Sequence, residues 1–242
     1  MGSGGFIPTD TRETTCVVIR DGDDALLLDA GSGLRRLTTG TVLRGVRRID
    51  IVLTHFHLDH VVGLGYAPAL PVAATVWAPG SWLYGRSSES VLAPLRTPPL
   101  SAFAPDELGE VRELAEGAQQ IGAFTITTRK QAKHSAPTAG LRVGDALALV
   151  TDTAYDDGSI AFAESVSHLL HEAWSTEAEP VATDTHTTGV QAGRIATAAG
   201  ARRLTLVHIS PRIADEAALV ADARRTMPDA EIGRDGVRLE LG

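Results

Sequence analysis

Short apolar runs broken by turn residues fill most of the chain, and few are long enough to make a helix. Residues 15–20 and 25–29 flank the turn Asp21-Gly22-Asp23-Asp24 and predict a strand pair. A short helix carrying Leu34 and Leu37 is expected after Gly31 and Gly33. The compact apolar run 49–53 has the signature of a buried strand. Residues 66–118 are less regular and hold seven of the twelve prolines. They suggest a strand at 72–77, a short helix after Pro79 and a loop at Pro98-Pro99. Further strands are expected at 123–128, 140–143, 146–150, 169–172, 204–207 and 237–241. Helices are expected at 188–199, closed by Gly200, and at 215–225. Strands followed by helix–strand alternation, in both halves, predict two sheets sandwiched between helices. No linker divides the halves, so residues 1–242 read as one domain.

The abrupt end of run 49–53 changes this bland picture. It gives way to Thr54-His55-Phe56-His57-Leu58-Asp59-His60. A strand end is rigid, and alternation through 55 and 57 points two imidazoles the same way. Asp59 and His60, entering the next turn, can face a second ion. Imidazole and carboxylate donors suit zinc, with iron and manganese left open by ligand type. One short segment cannot close two metal sites, so further donors must come from distant strands. His134, Asp152 and His208 each lie beside a strand-like run and are the candidates.

Composition narrows the partners. The net charge is −8, from 30 acidic and 22 basic residues. The arginines fall in scattered pairs rather than a basic stripe, which argues against long nucleic acid. Cys16 is the lone cysteine, which excludes an intramolecular disulfide and a Cys-rich zinc module, and it reads as a small core residue. No run approaches the roughly 18 apolar residues of a spanning helix. The opening Met1-Gly2-Ser3-Gly4-Gly5-Phe6 lacks the basic and apolar regions of a signal peptide. A cytoplasmic protein without a membrane partner is expected.

Several other segments extend the pattern along nearly the whole chain. They are Gly2-Ser3-Gly4-Gly5 with Pro8 and Thr9, Leu26 to Gly33 around Asp29, Lys133-His134, and Thr151-Asp152-Thr153. His171-Glu172-Ala173, His186-Thr187-Thr188 and the closing Leu206-Val207-His208-Ile209-Ser210-Pro211-Arg212 complete it. Together with His55-x-His57-x-Asp59-His60 they resemble the metallo-β-lactamase superfamily, and within it the ribonuclease Z-like phosphodiesterases. The resemblance implies an α/β fold, an αββα sandwich of two mixed β-sheets flanked by helices. It implies that His55, His57 and His134 hold one divalent ion and that Asp59, His60 and His208 hold the other, with Asp152 bridging. Asp29 would orient the histidine loop. Asp59 would also accept a proton from the attacking water, and His186 would protonate the leaving group. His171 and Glu172 would support the site from behind. Trp77, Trp82 and Tyr84 lie where a substrate wall is expected.

Two ions roughly 3.5–4 Å apart lower the pKa of a bridging water and clamp substrate oxygens. The implied activity is hydrolysis of a small cyclic or linear phosphodiester by a metal-bridging hydroxide. Hydrolysis of a lactone, thioester or amide, as in a biosynthetic tailoring step, is the alternative. A non-catalytic metal-binding protein is a third reading, disfavoured by the complete donor set. Ribonuclease Z carries a long tRNA-gripping arm, commonly between the counterparts of His134 and Asp152. Only seventeen residues separate them here, so a small-molecule substrate is expected. Dimers are common in that branch, so the resemblance allows a homodimer without fixing the oligomeric state.

Overall fold

The structure is a computed structural model and describes residues 2–103, 107 and 109–240. Two mixed β-sheets pack face to face with helices on their outer sides. The first sheet runs in chain order: β1 (Val17–Asp21), β2 (Asp24–Leu28), β3 (Arg48–Val52), β4 (Ala74–Ala78) and β5 (Glu110–Glu113). Only the β1–β2 pair is antiparallel. The second sheet has the order β12-β11-β10-β9-β8-β7-β6. Its members are β6 (Gly117–Ile121), β7 (Phe124–Gln131), β8 (Thr138–Val143), β9 (Leu147–Val150), β10 (His168–Glu172), β11 (Leu204–Val207) and β12 (Glu231–Ile232). Strands β9 to β12 are parallel and β6 to β9 antiparallel.

Strand alternation divides the apolar residues between layers. Leu26 and Leu28 enter the core between the sheets with Leu141, Leu149 and Leu170. Leu27 turns outward to Leu34 and Leu37, which lie on a short 3-10 turn and on α1 (Arg35–Thr39). On the other side, Leu169 and Leu206 pack beneath α6 (Gly189–Ala198) and α7 (Glu216–Arg224). Each such side chain, fully removed from water, contributes roughly 1.5–3 kcal/mol. Helix α6 begins with a capping box between Thr188 and Gln191, and Gly200 follows it at φ 65°. Among the described residues no helix is long and apolar enough to cross a membrane.

Several elements depart from the sequence reading. After the short helices α2 (Leu58–Val61) and α3 (Gly80–Tyr84), helix α4 (Ser88–Arg96) forms despite Pro94 in its interior, and α5 (Gly158–Phe162) is only five residues long. Strands β5 and β6 fill part of the supposedly irregular stretch. Both are mostly polar or charged and carry no apolar run. The expected strand at 237–241 is absent over 237–240, where Val237 is 51% exposed, and Leu241 lies outside the described residues. The last strand is β12, which pairs with β11 through Thr205 and Leu206.

Parallel strands send their C-terminal ends to one edge, and this topology gathers the candidate residues. Asp29 follows β2, the histidine segment follows β3, Asp152 follows β9, Glu172 ends β10 and His208 follows β11. His134 lies in the turn from β7 to β8, at the same edge because β8 opposes β9. Residues 2–7 cross this edge as an extended strap. Gly2 N–H donates to Cys16 O at 2.8 Å beside the first sheet, and Gly5 N–H donates to Ile209 O at 3.1 Å beside the second.

Gly63 fixes the histidine loop against the loop after β2. Its N–H reaches Ala30 O at 2.7 Å, and a Cβ there would stand 2.2 Å from Gly31 O. The obstruction is main chain and cannot rotate away. Gly63→Ala is therefore expected to cost at least the 1–3 kcal/mol (about) typical of overpacking. An unchanged urea midpoint would show that the two loops are not in fixed contact.

Candidate metal centre

The loop after β3 is held by Asp29, itself at φ 59° just beyond β2. Its Oδ1 accepts from Thr54 N–H at 2.8 Å and lies 3.0 Å from Thr54 Oγ1, and its Oδ2 meets His60 Nδ1 at 2.8 Å. The hydroxyl has one proton, given to Asp29, so at 2.9 Å it accepts from His55 Nδ1–H. His134 Nδ1–H donates to Thr185 O at 3.0 Å. In His55, His60 and His134 the Nδ1 side is thus committed, which leaves the Nε2 lone pairs of His55 and His134 for the interior of the cluster. This backing of ring nitrogens by carboxylate, hydroxyl and carbonyl is the usual support of metal-ligating histidines.

The donors converge in two groups that share a neighbourhood. His55, His57, His134 and Asp152 offer ligand atoms that lie within 4.8 Å of one another, as do Asp59, His60 and His208. Asp152 reaches both groups: its Oδ1 is 3.5 Å from His134 Nε2 and 3.4 Å from His208 Nε2, and its Oδ2 is 3.2 Å from His60 Nε2. Asp59 Oδ2 is 3.2 Å from His60 Nε2. Donors about 2.0–2.1 Å from a tetrahedral ion are separated by roughly 3.3–3.4 Å, so these spacings fit. The buried Nε2 atoms of His55 and His60 have no hydrogen-bond partner. A divalent ion would satisfy the requirement that such atoms be paired. The seven residues therefore fit the group that their chemistry implies.

Electrostatics follow from crowding. Burial, then the neighbouring His60, holds His55 neutral well below the ordinary histidine range. Burial also lowers His57 and His134. For His60 burial is outweighed by Asp29, Asp152 and Asp59, which push its pKa well up. The Asp152 carboxyl, for which burial acts upward, is held far down by His208, His60 and His55. Two donors occupy left-handed backbone, Asp152 at φ 53° and His208 at φ 49°. Such conformations cost of order 1–3 kcal/mol and gather at functional sites.

Behind this cluster, Glu172 is fully buried, accepts Thr153 N–H at 2.5 Å and meets His186 Nδ1 at 2.8 Å. Burial and the charge of Asp152 push the Glu172 carboxyl well up, while burial lowers His186. Trp174 stacks on His186 with ring centroids 4.2 Å apart and planes 11° off parallel. His186 also joins Asp152 and His208 as a close donor group.

The remaining sequence candidates separate. His171 faces the helix layer on the side of Leu169, bonds Glu172 O at 2.9 Å and is lowered by burial to about 4. Tyr84 packs on Phe56, centroids 5.3 Å apart, and donates to Pro137 O in the turn that carries His134. Trp77 donates to Asp50 at 2.8 Å beneath the Arg112 guanidinium, and Trp82 packs against the core between the sheets. Neither tryptophan shares a ring contact or hydrogen bond with the cluster among the described residues. Cys16 is buried, and burial raises its thiol to about 12. The contributions of Thr185 and Trp174 carry no sequence signal, since one acts through its carbonyl and the other through a ring face; the strap's Gly2-Ser3-Gly4-Gly5 stood out as a segment but not for what it touches.

Comparison with known proteins gives likenesses of three kinds, to a family, to a relative in sequence and to solved structures. Residues 25–209 match the family described as the β-lactamase superfamily domain. Ribonuclease Z of Methanopyrus kandleri is 27% identical over 282 aligned positions, covering 100% of this chain and 96% of that protein. Set against 242 residues, 282 positions leave at least 40 without a counterpart here. Among solved structures, the metallo-β-lactamase fold protein YhfI from Bacillus subtilis superposes with a TM-score of 0.82 at 22% identity, covering 99% of this chain and 97% of that one. A diphosphatase from the PhnP family gives 0.74 at 19%, covering 100% and 96%.

Proposed function

For a chain that belongs to the metallo-β-lactamase superfamily, we propose the hydrolysis of a small phosphodiester at a centre of two divalent ions. The observation that carries this reading is the pair of donor groups joined through Asp152. His55, His57 and His134 would hold one ion and Asp59, His60 and His208 the other, with zinc favoured by the donors. Bound there, two such ions supply Lewis acidity and bring a water's pKa toward about 7.

The chain's own residues do the rest. Asp59, whose Oδ2 accepts Phe6 N–H at 2.9 Å, would take the proton of an attacking water. His186, whose Nε2 side faces away from Glu172, would protonate the departing oxygen. As Nε2 gives up its proton, Glu172 at its back can pass its own to Nδ1 and keep the ring neutral, and Nε2 then regains a proton from water. Trp174 stacks on the ring from its face and limits the directions in which its Nε2 can point.

Size argues for a small substrate. The interval between His134 and Asp152 is consumed by β8, β9 and their turn, which leaves no arm to grip tRNA. The net charge of −8 would also forgo the counterion release that drives polynucleotide binding. The likeness to a diphosphatase supports the same direction.

A turnover screen of the metal-loaded protein tests this. Bis(p-nitrophenyl) phosphate and 2′,3′-cyclic nucleotides would be compared with lactones, thioesters and precursor tRNA. The diesters should lead, and precursor tRNA should be cut far more slowly. A lead for lactones or thioesters would move the reaction to carbonyl carbon. Efficient tRNA cleavage, with affinity falling steeply as salt rises, would overturn the size argument.

A further inference from the structure

The strap at residues 2–7 touches two of the candidate donors with its main chain. Gly5 lies flat against His208: a Cβ built there would stand 2.6 Å from the ring Cε1 and Nε2. Phe6 then gives its N–H to Asp59 Oδ2 at 2.9 Å. It does so at φ 58°, with Ile7 N–H returning to Gly5 O at 2.7 Å, a γ-turn of the strained hand. The Phe6 side chain is 63% exposed, so packing does not hold this conformation. Hydrogen bonds on both sides do.

The strap's other end is bolted to a distant segment. Ser3 donates its N–H and hydroxyl to Asp235 Oδ1 at 3.0 and 2.8 Å, and Glu13 N–H donates to Asp235 Oδ2 at 2.7 Å. The buried Arg12 guanidinium links Ser3 Oγ, Gly233 O and Glu216. No residue of this anchor belongs to the donor cluster.

We propose that residues 2–7 position the Asp59–His60–His208 donors, and that binding of the ion there and closure of the strap are coupled. The inference rests on the two-ion reading above. A side chain at position 5 would intrude on the space in which the His208 ring stands, and Phe6 N–H fixes one carboxylate oxygen of Asp59. Hydrogen-bond partners of metal ligands typically contribute about 10–100-fold to metal affinity. By linkage, whatever the strap adds to ion binding the ion returns to strap closure.

The test measures zinc equivalents, zinc affinity and amide hydrogen exchange, none of which depends on turnover. In the native protein, stripping zinc should speed exchange at residues 4–7 at least about tenfold. Gly5→Ala and Phe6→Pro should weaken the second equivalent by about 10–100-fold while leaving the first. Asp235→Ala should weaken it through the anchor alone, in a protein whose donors are all intact. Native affinity for both ions in Gly5→Ala and Asp235→Ala, with exchange at 4–7 indifferent to zinc, would overturn the coupling. A native protein that takes up one equivalent or fewer would remove the two-ion reading and this inference with it.

Discussion

Asp152→Ala protein is expected to hold about one divalent ion per chain where the native protein holds two, and to lose at least about 10³-fold in kcat/KM. Asp152 is the one donor within 3.5 Å of nitrogens from both groups, His134 on one side and His60 and His208 on the other. Its loss removes a shared ligand and leaves His60, raised by three carboxylates, with two. The Lewis acidity of a bound ion is worth several kcal/mol of barrier, and each 1.36 kcal/mol is about a factor of ten. Asp152→Asn is the cleaner companion, because asparagine tolerates the left-handed backbone that this position requires. Elemental analysis of the folded variants decides the matter: two equivalents retained in both would end the bridging role of Asp152, and one equivalent or fewer in the native protein would end the dinuclear reading.

The second large effect separates the roles around the cluster. General acid assistance is typically worth about 10²–10⁴-fold, and its value depends on the leaving group's need for a proton. His186→Ala should keep its metals, cleave an activated aryl diester almost normally and fail on an alkyl or nucleoside diester. A p-nitrophenolate departs readily as an anion, whereas an alkoxide does not. Asp59→Ala should instead lose both activities, because Asp59 is both a donor to the cluster and the expected proton acceptor. Equal losses on both substrates in the His186 variant, with metal content intact, would make His186 a binding or structural residue.

What could be read from the chain depended on how local each signal was. The segment from His55 to His60 announces itself, since its donors crowd into six positions after a buried strand. The distant candidates were legible because parallel strands deliver their ends to one edge, so a His or Asp after each apolar run was already suspect. Strands β5 and β6 escaped because much of their surface is polar or solvated and so breaks the period-2 pattern. The apolar run at 237–240 misled for the opposite reason: alternation is present there, but no strand forms. Trp77 and Trp82 were expected at a substrate wall from their place in the chain, yet the three-dimensional path commits them to packing. No composition rule foretells that Thr185 would act through its carbonyl, or Phe6 through its amide. Those contacts depend on chain path alone.

The contact between Ser3 and Asp235 spans 232 positions, and this bears on the order in which the molecule assembles. Contacts so far apart in sequence form late, because closing a long loop costs entropy before any contact rewards it. The histidine segment and its partner Asp29 are separated only by a short helix and a strand, and can associate early. A refolding chain should therefore gain the His55 and His57 side first and lock Asp59 and His208 only when the far end of the chain has docked. Stopped-flow refolding in the presence of a zinc-sensing dye should then show two uptake phases, the slower one keeping pace with the ordering of the strap.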